Sequence, residues 1–255
     1  MKKRPFSPLV LAMGGLTIVV LVALAVVLNH SVNSNVRVVA IASPTPPTVP
    51  PTPSQIPFAN CNSTSFGPPL PPQGQPSNPH VYSAAPAMQI DTNKLYQATV
   101  NTAKGKFVIC LQPALAPLTV NNFVVLARNH FYDGLLFHRV GPSSDTPNII
   151  QGGDPQCKTL SQQCGQGGPG YSFSDETVRQ SYSIGTIAMA NSGVGSNSNG
   201  SQFFIDKDDE NSNLGPKNGA TLAYNLFGKV SSGMNVVDQI VAGDSILAIT
   251  VAEQQ

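Results

Sequence analysis

Eight short apolar runs constrain this chain most: Tyr96–Asn101, Phe107–Leu111, Leu136–Val140, Asn148–Gly152, Thr186–Ala190, Gln202–Asp206, Leu226–Val230 and Ile246–Ala252. Each is short, carries β-branched or aromatic residues, and is bounded by Gly, Pro, Asn or Ser, the pattern of strands joined by turns. Thr102-Ala-Lys-Gly105, between the first two, reads as a hairpin turn. Two segments follow a different period. Phe123, Leu126 and Ala127 fall at helical spacing and Pro117 suits a first helical turn, so Pro117–Arg128 is predicted as a helix. A second helix is predicted at Met234–Ala242. Many short strands with two isolated helices predict a mainly β domain, a mostly antiparallel barrel with helices covering its ends.

The N-terminal third is built differently. Leu9–Leu28 is twenty residues without a charge, long enough at about 1.5 Å per residue to cross a hydrocarbon core of roughly 30 Å. Lys2, Lys3 and Arg4 precede it and only Arg37 follows closely, so by the positive-inside rule residues 1–8 are expected in the cytoplasm and the rest outside. A single-pass membrane anchor at 9–28 is the reading preferred here. A cleaved signal peptide competes with it, because Ala23-Leu-Ala25 and Ala40-Ile-Ala42 have the small-x-small form. From Ser43 to Pro86 there are fourteen prolines among Ser, Thr, Gln and Asn. With few sizeable apolar groups to offset its ordering entropy, residues 29–88 are expected to be a mostly disordered spacer, leaving 89–255 as the one folded domain.

All thirteen acidic residues, but only ten of the fourteen basic ones, fall between Asp91 and Glu253, a balance of minus three that makes nucleic acid an unsuitable partner. Cys61, Cys110, Cys157 and Cys164 fit an oxidising compartment. Four cysteines allow three pairings, between which sequence alone does not choose. A Cys157–Cys164 bridge would close a short polar loop, and Cys61–Cys110 would then tie the spacer to a strand. Four buried thiols or a zinc site are the alternative, although the spacings do not resemble structural zinc ligands.

Alternation along Leu136–Val140 puts Phe137 and Arg139 on one face and His138 on the other, so the two basic groups cannot share a site. Arg139 is the better candidate, because a histidine between apolar neighbours is more often a hydrogen-bonded core residue. Gln151 and Gln202 also sit in apolar strands, where a polar group needs a partner. Parity places Gln202 with Phe204 and Ile149 with Gln151. Met189-Ala190-Asn191 ends a further strand, whose backbone could pair with an extended peptide. Gly165-Gln-Gly167-Gly-Pro-Gly170 fits GxGxxG, but Pro169 and the lack of a following helix remove the phosphate-binding context.

From about Gln89 onward the chain resembles the cyclophilin family of peptidyl-prolyl cis-trans isomerases. The motifs that carry the likeness are Asn121-Asn-Phe, Phe131-Tyr-Asp-Gly134, Phe137-His-Arg-Val140, Gln151-Gly-Gly-Asp154, Gly167-Gly-Pro-Gly-Tyr171, Met189-Ala-Asn191, Gly200-Ser-Gln-Phe-Phe-Ile205 and Phe227-Gly-Lys-Val230. The resemblance implies an eight-stranded antiparallel barrel capped by two helices, with a proline pocket on its outer surface and no cofactor or metal. It implies Arg139 as the catalytic residue, with Ile149, Gln151, Ala190, Asn191, Gln202, Phe204, Leu222 and Tyr224 binding substrate. The expected partners are proline-containing segments of exported proteins and, through the anchor, the cell membrane, with the chain acting as a monomer. Two departures stand out: the 141–147 connection is longer than usual for the family, and Asn148-Ile149 replaces a common Phe-Met pair.

Overall fold

The computed structural model describes residues 54–72, 80–143, 146–193, 195–209, 214 and 224–255. The chain divides into two compact units, of which the first, Met1–Val49, lies outside the described residues. The sheet belongs to the second.

Its strands are β1 (Phe66–Pro69), β2 (Tyr96–Thr102), β3 (Gly105–Leu111), β4 (Phe137–Val140), β5 (Ile149–Gly152), β6 (Thr186–Met189), β7 (Phe203–Asp206), β8 (Leu226–Ser232) and β9 (Ile246–Gln254), with helices α1 (Pro117–Arg128) and α2 (Met234–Val237). All pairings are antiparallel, and the order is β1-β9-β2-β3-β8-β6-β7-β5-β4. The expected eight-stranded closed barrel is therefore corrected to a nine-stranded sheet that does not close. The free edge of β9 is divided: β1 takes its end at Ala252–Gln254, and the start of the chain segment around β4 meets it at the isolated bridge Leu136↔Ser245. That contact is a single isolated bridge, not a ladder.

The interior face of the sheet follows the alternation. In β2, Tyr96, Ala98, Val100 and Thr102 point inward, and in β3 Phe107, Ile109 and Leu111 face them. Their hairpin turns at Ala103-Lys104, where the Thr102 hydroxyl accepts the Lys104 N–H at 3.1 Å and donates to the Gly105 carbonyl at 3.0 Å. Cys110 points outward yet is buried, because its bridge to Cys61 holds residues 57–61 over it.

Helix α1 spans the predicted residues, but its N-terminus is held from outside. Ala116 supplies no side-chain cap. The Glu176 carboxylate replaces it, accepting the N–H groups of Leu118 and Thr119 at 2.9 and 2.8 Å and the Thr119 hydroxyl at 2.7 Å. A negative charge there also complements the helix dipole. Glu176→Ala is expected to destabilise the fold by about 1–2 kcal/mol, measured by urea unfolding; an unchanged midpoint would show that the cap contributes nothing. Helix α2 stops after Val237, well short of the predicted Ala242. It lacks a side-chain cap at Gly233, and the chain continues in i→i+3 turns such as Gln239 N–H to Val236 at 3.1 Å.

The stretch expected to be a disordered spacer contributes structure. It supplies β1, the Cys61–Cys110 bridge, and a segment at 80–88 where Tyr82 stacks near Phe131 and Tyr171 at 6.1 and 6.3 Å. Its few apolar groups find cover on the domain, which a composition argument does not register. Asn121 fastens the same segment to α1, accepting Gln89 N–H at 2.8 Å and donating to the Ala87 carbonyl at 3.0 Å.

The membrane reading is also corrected. Among the described residues no helix is long and apolar enough to cross a membrane. The twelve residues of α1 cover about 18 Å, short of a hydrocarbon core of roughly 30 Å. The run Leu9–Leu28 lies outside the described residues, so the anchor, the membrane as a partner and the cell-membrane location expected from it are not carried further.

Candidate functional site

Three neighbouring strands bring the site together. In β5 and β7, Ile150, Phe203 and Ile205 face the main core, which leaves Ile149, Gln151 and Phe204 on the outer face. The pairings Gln151↔Phe204 and Ala188↔Phe204 set these outward groups side by side across β5, β7 and β6.

Arg139 reaches this face by a route that alternation misses. Phe137 pairs with Gly152 and Arg139 with Gln151, so two steps along β4 match one along β5. This bulge breaks the parity. Phe137 is fully buried in the core while Arg139 is exposed beside Gln151, correcting the expectation that they share a face. The crossing is tight, since a Cβ on Gly152 would lie 3.0 Å from the Leu136 carbonyl and 3.1 Å from the Phe137 ring, so a larger residue there would need its neighbours to give by a few tenths of an ångström.

Arg139, Ile149, Gln151, Ala190, Asn191, Phe204 and Tyr224 line one hollow of about 210 Å³. Phe204 forms its floor, only 2% exposed, with the Tyr224 ring edge-on at 5.2 Å. Pro147 and Leu214 complete the walls. Neither was expected, since a loop proline and an isolated leucine carry no periodic signal. Leu222, expected here, lies outside the described residues. Gln202 lines a second hollow of about 310 Å³ that shares Gln151, Ala190 and Asn191 with the first and is otherwise walled by Gly165–Pro169 and the serines around Asn191 and Gly200.

A directional chain of amides connects the two. The Gly167 carbonyl accepts Gln202 Nε2 at 2.7 Å, which turns Gln202 Oε1 towards Gln151 Nε2 at 3.0 Å. Gln151 Oε1 is thereby presented to Arg139, which donates to it at 3.4 Å. A carbonyl can only accept, so it fixes the sense of every amide after it. Arg139 Nε also donates to Thr146 Oγ1 at 3.0 Å. Tyr182, which sequence reasoning missed because it sits in a polar loop, donates to the Tyr224 carbonyl at 2.6 Å and packs 6.5 Å from Phe204. Burial raises its pKa above the ordinary tyrosine value.

Asn191 is held by its neighbours. Its Oδ1 accepts Gly193 N–H at 3.0 Å, and its Nδ2 reaches Asn199 Oδ1 at 3.4 Å and Asp175 Oδ1 at 3.5 Å.

Behind the amide chain, Asp154 is fully buried and accepts the N–H groups of Gln156, Gly165 and Gly167 at 2.8, 2.6 and 3.2 Å. It anchors the loop closed by Cys157–Cys164. His138 lies beneath that loop, the Gly165 Cβ position being 3.7 Å from its Nε2. Its ring nitrogens are buried, and the Leu136 backbone and the Gln202 side chain are the polar groups that bear on them. Burial lowers its pKa from 6.5, with the Asp154 charge opposing the shift. The unfolded chain therefore takes up this proton at a higher pH than the folded one, and stability present above pH 6.5 is lost as the pH falls below it. His138→Gln is expected to lose less stability than the parent on acidification, read by urea unfolding at a series of pH values; identical pH profiles would contradict this.

Among the described residues no group of three or more His, Cys, Asp or Glu is placed to hold a metal ion. What the described residues offer chemically is an oriented cation at the rim of a hollow with Phe204, Ile149, Pro147 and Leu214 on its apolar side and Gln151 and Asn191 on its polar side.

Comparison with known proteins bears on this geometry. The family described as cyclophilin type peptidyl-prolyl cis-trans isomerase/CLD matches residues 97–252, more than half of the chain. A putative peptidyl-prolyl cis-trans isomerase of Staphylococcus haemolyticus is 40% identical over 118 residues, covering 46% of this chain and 54% of that protein. A putative bifunctional phosphatase/peptidyl-prolyl cis-trans isomerase of Streptococcus pyogenes serotype M6 is 40% identical over 121 residues, 47% of this chain and 24% of that protein. The chain thus spans between a quarter and about half of the length of these curated relatives. The solved cyclophilin type isomerase of Cryptosporidium parvum superposes with a TM-score of 0.50 at 25% identity, over 62% of this chain and 97% of that one.

Proposed function

The chain belongs to the cyclophilin type peptidyl-prolyl cis-trans isomerase family, and on that premise we propose that it accelerates cis-trans isomerisation of X-Pro bonds, with Arg139 as the catalytic residue. The observation that carries the proposal is the Arg139 guanidinium, tethered to Gln151 and Thr146 at the rim of a hollow floored by Phe204. Amide resonance sets the barrier at roughly 18–20 kcal/mol, and it is lost as the C–N bond twists. The prolyl nitrogen then becomes pyramidal and gains a lone pair. A fixed N–H donor meets that lone pair in the twisted state and has nothing comparable to bind in the planar one, which is differential binding of the transition state.

In this reading the proline ring sits on Phe204 against Ile149, Pro147 and Leu214, and Gln151 orients Arg139. The Ala190–Asn191 backbone holds the peptide alongside β6, and Gln202 completes the polar side. The two disulfides suit clients that fold under oxidising conditions, which supports exported proteins as substrates.

A second reading is a proline-peptide binding module with weak turnover. The 141–147 insertion favours it, because it brings Pro147 into the pocket wall. Exchange spectroscopy on an X-Pro tetrapeptide with the full chain separates the two. The isomerase reading requires cis-trans exchange above the uncatalysed rate; saturable binding with no added exchange would leave only the module.

A further inference from the structure

We propose that Thr146 is a positioning residue for Arg139, placing the connection between β4 and β5 inside the catalytic apparatus. The inference rests on the isomerase reading above and concerns the geometry of the cation rather than the seat of the proline ring.

The described residues on either side of 144–145 are held together. Gly141 N–H donates to the Ile149 carbonyl at 2.8 Å, Ser143 N–H to the Thr146 carbonyl at 2.9 Å, and Lys207 Nζ to the Gly141 carbonyl at 3.3 Å. The two ends approach so closely that a Cβ on Gly141 would collide with the Pro147 carbonyl. Thr146 is consequently held in place, 8% exposed, beside an arginine that is itself exposed.

An exposed arginine has many rotamers, and ordering it opposes catalysis unless the protein does so in advance. The Gln151 contact, at 3.4 Å, is long for a charge-assisted bond and pins one terminal nitrogen. The Thr146 bond, at 3.0 Å, pins Nε. Held at two of its nitrogens, a planar guanidinium cannot swivel about its own axis, so its donors point along one line. A planar substrate amide is indifferent to that line. The lone pair of a twisted prolyl nitrogen is directional, so misalignment should be felt in kcat and hardly in peptide affinity.

The test compares Thr146→Val, which keeps the shape and removes the hydroxyl, with Thr146→Ser, which keeps the hydroxyl, both in the full chain. For Thr146→Val we expect kcat on an X-Pro tetrapeptide to fall on the order of ten-fold, with peptide Kd within about two-fold. Thr146→Ser should restore most of the rate. NMR exchange of the Arg139 Nε proton should be slow in the parent and Thr146→Ser and faster in Thr146→Val. Unchanged kcat in Thr146→Val, equal losses in both variants, or a loss confined to Kd would overturn the proposal. A parent chain without turnover would defeat the isomerase reading instead, and Nε proton exchange unaltered by Thr146→Val would then still overturn the positioning role.

Discussion

Replacing Arg139 with alanine is expected to lower kcat/KM on X-Pro peptides on the order of ten- to a hundred-fold, the rate equivalent of one charge-assisted hydrogen bond worth about 1.5–3 kcal/mol made in the transition state. The side chain is exposed and its tethers are polar, so the unfolding midpoint should scarcely move. Arg139→Lys should rescue little. An ammonium keeps the charge but has no planar fork, and it loses both the Nε bond to Thr146 and the oriented donor facing Gln151. The remainder of any acceleration has to come from the hollow, because a single bond of this strength is far smaller than the resonance barrier. Rate and thermal melt measured on the same preparations decide the matter. An alanine variant as fast as the parent would remove Arg139 from the mechanism, and one that melts early would make its loss of rate uninformative about the chemistry.

The largest expected effect on stability is at Phe123. Its ring on α1 lies 5.1 Å from Tyr132, 5.5 Å from Phe203 and 5.4 Å from Phe227, joining the helix to β7 and β8 through one aromatic cluster. Phe123→Ala removes a fully buried side chain from contacts on three sides and leaves a cavity the sheet cannot collapse into, at a cost of about 3–5 kcal/mol. The effect should reach the site. Phe203 stands between Gln202 and Phe204 in the chain, and its anchoring in the cluster helps set which way those two face. Urea unfolding measures the loss, and a change under about 1 kcal/mol would show that the helix is not docked through this ring.

Much of the site was legible because period-2 alternation is a local property. The placement of Gln151 with Ile149 and of Gln202 with Phe204 follows from counting residues; Ile149, Gln151 and Phe204 line one hollow, and Gln202 lines the adjoining one. Arg139 was singled out for a sound reason, its company of buried amides, but assigned the wrong neighbour. The bulge at His138 depends on how β4 meets β5, and nothing within Leu136–Val140 encodes the partner strand. Thr146, Pro147 and Leu214 escaped notice for a related reason: they enter the site by loop geometry, which has no period.

Composition also left out what the described part of the 29–88 stretch does. Prolines and polar residues forecast a chain with little to bury, yet Ile56 and Phe58 pack against the cluster that contains Ile149 and Phe204, and Phe66–Pro69 joins β9.

By itself the sequence determined where the strands β2 to β9 and helix α1 lie, which side of β2, β3, β5 and β7 is apolar, and which family the motifs resemble, because these depend on residues near one another in the chain. Tertiary structure alone decided that nine strands form an open sheet, that Glu176 caps α1, that a bulge turns Arg139 outward and that Thr146 holds it. Each of these is a meeting of segments distant along the chain or a backbone irregularity that only the partner strand imposes, and no local pattern records which segments will meet.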